Sequence, residues 1–266
     1  PYYSQALGWE LHRLSDGGDA IELVEELNGV ALGSFPEKFA IHEGELFFSA
    51  NDNVYGKELW KYNLTHGAEL VADIQAGTGS SMISDMASFN GSLILGAAFE
   101  SNGGELVRYD GDTSTVSLLL DVVAGTSSSW PKDFCALGNL LYFVAYRSSS
   151  DYTPYLFTYS PGATEATMVD GVDSVDNVMS PKSLTALNGS VYFQSTIAAS
   201  GYELFKHTPG VGTVLVKDIR TGFTSSQPQD LVAVGEDLFF RAQATPGSYL
   251  FSVCRYSPAT DTLQVI

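Results

Sequence analysis

A Glu-Leu dipeptide recurs along this chain at Glu10-Leu11, Glu58-Leu59, Glu105-Leu106 and Glu203-Leu204, with degenerate copies at Tyr155-Leu156 and Tyr249-Leu250. The leucines stand 48, 47, 50, 48 and 46 residues apart. A period of that length is one supersecondary unit that cannot bury its apolar face alone and must stack on its neighbours. The whole chain is therefore built by stacking copies of one unit.

The unit is clearest from Pro181 to Gly222. Four β-rich runs follow one another there: SLTAL, SVYFQST, YELFKH and TVLVKDI. Asn188-Gly189 separates the first two, and Asn-Gly suits a type I′ hairpin because both central residues need φ > 0. Ser200-Gly201 and Pro209-Gly210 punctuate the rest. The pattern predicts a four-stranded antiparallel meander, strands a to d, with Glu-Leu at the start of c. Sheets of this kind in tandem predict an all-β β-propeller.

Six blades result, at residues 1–27, 36–74, 83–122, 131–172, 181–219 and 228–266, read as one domain. The first blade shows only b, c and d. An open strand edge is a liability in any sheet, so the missing strand a suggests a segment of a longer polypeptide. The start at Pro1 reads likewise as a mature or excised product.

The crossing from strand d to the next strand a has its own signature. Asp73-Ile74-Gln75-Ala76-Gly77-Thr78-Gly79-Ser80-Ser81 recurs from Asp121 to Ser129 and from Asp218 to Ser226. Asp accepts bonds from backbone N–H groups nearby and Gly supplies φ > 0. Asp73, Asp121 and Asp218 are accordingly expected to fix the linkers, with a ligand or metal role as the alternative.

Together, Gly56 to Trp60, Leu70 to Ser81 and Leu184 to Phe193 carry a pattern that resembles the ELW-type (ELWxxDGT) repeats of secreted and cell-surface proteins. Trp60 is the only intact tryptophan of that motif; Val107, Phe157 and Phe205 replace it elsewhere. The resemblance implies extracellular display, adhesion or assembly with other proteins or further copies of the chain. It brings no catalytic residues with it.

A net charge of −18 opposes nucleic-acid and anionic-membrane partners, which select basic surfaces. No run of apolar residues approaches the length that a transmembrane helix needs. No cofactor is expected. Ca²⁺ is the ion that Asp170, Asp173 and Asp176 would suit, although that run lacks EF-hand spacing and reads equally as a solvated acidic face. Cys135 and Cys254 are expected as two buried thiols.

Three sequons, at Asn63, Asn90 and Asn188, fall in c–d or a–b hairpins. Both hairpin types lie on one rim of a propeller, so glycosylation there would leave the d–a and b–c rim free to bind. The plainer reading of the two Asn-Gly pairs is hairpin chemistry. Paired aromatics on strand b, such as Phe47-Phe48 and Tyr192-Phe193, read as core. Trp130, on a linker, is the candidate for stacking on a sugar in a lectin. No nucleophile elbow, HExxH or P-loop occurs. The sequence thus predicts an interaction module and not an enzyme, with a lectin as the alternative.

Overall fold

The computed structural model of the chain describes residues 2–4, 8–15, 17–29, 33–171, 179–197 and 201–266. These residues form antiparallel sheets and no helix. Blade one holds β1 (Tyr2–Ser4), β2 (Gly8–Leu14) and β3 (Ile21–Glu25). Blade two holds β4 (Glu37–His42), β5 (Glu45–Asn51), β6 (Lys57–Asn63) and β7 (Gly67–Ala72). Blade three holds β8 (Asp85–Phe89), β9 (Ser92–Ala98), β10 (Gly104–Asp110) and β11 (Thr115–Leu120). These three fall in a first compact unit, Pro1–Lys132.

The second unit, Asp133–Ile266, holds the other three. Blade four comprises β12 (Lys132–Leu137), β13 (Leu140–Ser148), β14 (Asp151–Tyr159) and the two-residue β15 (Thr167–Met168). Blade five comprises β16 (Met179–Leu187), β17 (Ser190–Ile197), β18 (Gly201–Thr208) and β19 (Gly212–Lys217). Blade six comprises β20 (Gln229–Val234), β21 (Asp237–Ala242), β22 (Ser252–Ser257) and β23 (Thr262–Val265).

Successive side chains on a strand point to opposite faces, so paired aromatics on strand b serve two neighbours at once. Phe47 packs with Leu93, Leu95 and Val107 of blade three, its ring centroid 5.5 Å from that of Tyr109. Phe48, next to it, packs with Trp60 and with Leu11 of blade one. In the second unit Phe193 joins Tyr142 and Leu156 of blade four, while Tyr192 joins Leu238, Phe240 and Tyr256 of blade six. Each fully buried ring of this kind contributes about 2–3 kcal/mol. Cys135 and Cys254 are free, buried and in different clusters.

The Asn-Gly hairpins have the left-handed pair that a type I′ turn requires: φ is 49° and 74° at Asn90-Gly91, and 49° and 76° at Asn188-Gly189.

Two expectations change. Strand d of blade four is not a full strand: among the described residues 166–171 only Thr167–Met168 pairs with β14, and residue 172 lies outside the described residues. In blade six strand c does not begin at Tyr249-Leu250. Val253 pairs with Arg241 as Leu59 pairs with Ser49, so Ser252-Val253 occupies the Glu-Leu place. Tyr249 and Leu250 lie in the b–c loop, 80% and 77% exposed. Their apolar character imitated a strand that burial does not support.

Candidate functional site

The recurrent glutamate fastens the linkers. Glu10, Glu58, Glu105 and Glu203 are fully buried. Glu58 Oε2 accepts from Ile74 N–H at 2.9 Å, at the head of the linker, and its Oε1 accepts from Ser81 N–H at 2.8 Å, at the tail. Glu105 spans its linker from Val122 N–H (2.8 Å) to Ser129 N–H (2.7 Å) and Ser129 Oγ–H (2.6 Å). Glu203 spans from Ile219 N–H (2.9 Å) to Ser226 N–H (2.8 Å) and Ser226 Oγ–H (2.5 Å). Glu10 receives Ser34 N–H and Ser34 Oγ–H in the same way. One carboxylate thus satisfies donors at both ends of a loop that would otherwise bury them unpaired.

Three of the clasped serines also reach onward. The carbonyls of Ser34, Ser81 and Ser226 accept from Asn51, Ala98 and Gln243 at 2.7–2.8 Å, near the end of strand b of the following blade. The clasp therefore rivets strand c of one blade to strand b of the next. Burial pushes the Glu58 and Glu105 carboxyls up to about 7 and raises Glu203 as well, against the opposing pull of their donors. The residue after each clasped serine is left-handed: Phe35, Met82, Trp130 and Gln227 have φ of 48–51°.

Blade four lacks this device. Tyr155 stands at the glutamate position, and its hydroxyl donates to Asp151 at 3.0 Å. Tyr155 pairs instead with Met179 of β16, so blades four and five join in one eight-stranded sheet.

The linker aspartates have a local task. Asp73 Oδ2 accepts from Gly77 N–H at 3.0 Å and Asp121 Oδ2 from Gly125 N–H at 3.1 Å; Asp218 is exposed. Trp130 is half-buried. Its ring lies so close to Gly104 that a Cβ there would stand 2.4 Å from Cε3. Asp170 is exposed and its carbonyl accepts from Thr213 Oγ–H at 2.6 Å; Asp173 and Asp176 lie outside the described residues. Among the described residues no three His, Cys, Asp or Glu side chains converge as a metal site. Asn63 is half-buried, its amide donating to Glu45 Oε1 at 2.7 Å, whereas Asn90 and Asn188 are exposed at their turns.

The d–a and b–c loops of the second unit meet in a cavity of about 360 Å³. Ile219, Arg220, Thr221 and Thr224 line it from the linker after blade five, and Pro246 and Gly247 from the b–c loop of blade six. That loop runs over residues 243–251 and is longer than its counterparts between β5 and β6 or β9 and β10. Arg220 donates to Gln243 Oε1 at 3.2 Å, and its guanidinium carbon stands 5.8 Å from the Tyr249 ring centroid. Phe223, between the lining threonines, is 83% exposed. Sequence reading did not single out Arg220 or Phe223. The available signal was the linker alignment itself, where Gln75 and Val123 become Arg220, and Thr78 and Thr126 become Phe223.

Comparison with solved structures bears on this arrangement. A puromycin-hydrolyzing peptidase of Mycobacterium tuberculosis superposes with a TM-score of 0.69 at 11% identity, over 99% of this chain and 42% of that one. The chain is a β-propeller. A prolyl endopeptidase gives a TM-score of 0.56 at 12% identity, over 87% of this chain and 36% of that one. A putative TolB from Agrobacterium tumefaciens also gives 0.56, at 10% identity, over 92% and 83%. No protein-family model and no curated protein matches the chain. This propeller spans less than half the length of either peptidase.

The peptidases correct the expectation that the chain is not an enzyme. That expectation rested on missing motifs and on reading the architecture as an assembly module. The same architecture occurs within hydrolytic enzymes, and motifs missing from a stretch equal to 42% of such a chain do not exclude hydrolysis by the whole.

Proposed function

We propose that this chain is the propeller of a peptide-hydrolysing protein, in which a rim of clasped linkers and b–c loops presents and selects a peptide-like substrate. The observation that carries this reading is the separation of frame from surface. Glu58, Glu105 and Glu203 hold their linkers by the same bonds, while the side chains displayed on those linkers differ. A fixed backbone with variable side chains is how a scaffold carries recognition. The likeness to peptidases supports the enzyme context, and the cavity at Arg220 supports selection on this rim.

The test is to purify the protein natively and assay aminoacyl and prolyl p-nitroanilide hydrolysis across a size-exclusion profile. Activity should co-elute with the species that carries this chain. Chain-bearing fractions that hydrolyse no anilide, with the activity elsewhere, refute the reading.

A second reading is an assembly propeller displayed outside the cell, binding other proteins or further copies of itself. It draws on coverage of 83% of the TolB chain, on the charge of −18 and on the exposed Asn90 and Asn188 sequons. A single glycan-free species, monomeric and without a partner in native extracts, would exclude it. The lectin alternative finds no support, since the Trp130 ring is packed on Gly104.

A further inference from the structure

We infer that the cavity between the linker after blade five and the b–c loop of blade six binds the carboxylate of a peptide, with Arg220 as its anion contact and Phe223 and Tyr249 as an apolar rim. The inference deepens the peptide-selecting reading above by naming the group that this rim recognises.

Charge is the first argument. In a chain of net charge −18, cations are mostly consumed by neighbours. Arg13, Lys57, Lys61, Arg147, Lys217 and Arg255 are each ion-paired to a carboxylate. Arg220 is held by Gln243 and Tyr249, neither of them anionic, and its remaining guanidinium donors have no protein partner among the described residues. None of the residues lining the cavity is acidic. The carboxylate of Glu203, under the same linker, is taken up by Ile219 N–H, Ser226 N–H and Ser226 Oγ–H, and Asp218 is exposed at the head of the linker. The planar fork of arginine is matched to a carboxylate, and the Thr221 and Thr224 hydroxyls add donors beside it.

The apolar rim is the second argument. Phe223, Tyr249 and Leu250 are 83%, 80% and 77% exposed, and they stand on the same linker and the same b–c loop that line the cavity. Aromatic and arginine side chains side by side are the composition of binding hot spots.

Repetition is the third. The Glu203 clasp gives this linker the geometry of its counterparts, so backbone shape does not demand the changes to Arg220 and Phe223. Both changes appear in the linker that faces the long b–c loop. A free carboxylate with an apolar side chain beside it, as at a peptide C-terminus, matches the cation, the donors and the aromatics together.

The experiment is calorimetric titration of the whole chain with N-acetyl-Leu-Phe and with its C-terminal amide, with amide chemical shifts recorded in parallel. The acid should bind, the amide at least about tenfold more weakly. Shifts should centre on Thr221, Thr224 and Gly247. Arg220→Gln should lose about tenfold in affinity for the acid and none for the amide. Phe223→Ser, which leaves the cation in place, should weaken acid and amide alike. Equal binding of acid and amide, an unaltered Arg220→Gln, or no heat and no shifts up to about 10 mM overturns the proposal. The isolated chain is used throughout, so failure here leaves the hydrolase reading to its own assay.

Discussion

Replacing Glu105 by glutamine tests the clasp and the charge within it together. The glutamine has the same shape, but one acceptor oxygen becomes a donor facing Ser129 N–H, Ser129 Oγ–H or Val122 N–H, which now stand 2.6–2.8 Å from the carboxylate. Leaving one buried donor without an acceptor costs about 1–3 kcal/mol. The wild-type carboxyl has a pH dependence that glutamine lacks. Its value in the folded protein is about 7, above the 4.5 of an unperturbed glutamate. A carboxyl raised on folding holds its proton more tightly in the native state. Its contribution is therefore complete below the unfolded value and is lost as pH rises through the folded one. Between pH 5.5 and 8 the wild type should lose about 2 kcal/mol from this group alone. The deficit of Glu105→Gln relative to wild type should therefore shrink by that amount at pH 8.

Urea unfolding at the two pH values measures it. All three tryptophans, Trp9, Trp60 and Trp130, belong to the unit that contains Glu105, so their fluorescence follows the right transition. Both pH values stay above the pI of 4.3. A deficit that is constant, or that grows at pH 8, would refute the reasoning. It would mean that the converging donors stabilise the anion more than burial opposes it.

Gly56→Ala should destabilise by about 3 kcal/mol or more in thermal unfolding, because a Cβ there would stand 1.8 Å from the Gly79 carbonyl oxygen at a φ of 76°. Met82→Gly should be neutral or stabilising by about 0.5 kcal/mol, since Met82 is 62% exposed and held at φ 48°, where only glycine is unstrained. Cys135, whose thiol burial pushes up to about 11, should resist Ellman's reagent in the native protein at pH 8 and react on unfolding in urea. Reaction of the native protein within minutes would contradict its place in the core.

The period, the hairpins and the aromatic core were legible because each has a local chemical cause. Asn-Gly enforces its turn, and Phe47-Phe48 must face two ways on any strand. The clasp was half-legible. Glu-Leu marked the period and Ser-Ser closed the linker signature, yet the link between them spans 23 or 24 residues and needs the fold to bring it about. Asp73 and Asp121 hold the turn at the following glycine, whereas the ends of the linker are held by the glutamate, which lies far from them in sequence. Tyr249-Leu250 misled because hydrophobicity alone does not tell a strand end from an exposed rim. Only the pairing of Val253 with Arg241 separates the two.

The exceptions explain what the clasp does. At Glu10, Glu58 and Glu203, near the start of strand c, the carboxylate carries the connection to the next blade through a serine. Where Tyr155 replaces it, strand c runs on and bonds to β16 directly, and two blades become one sheet. Either solution ties neighbouring blades, and the clasp does so with a linker backbone fixed at both ends. A change such as Gln75 or Val123 to arginine can then arise without rebuilding the frame. The carboxylate site at Arg220 is a consequence of that tolerance: the clasp holds the geometry and the sequence is free to differ on it.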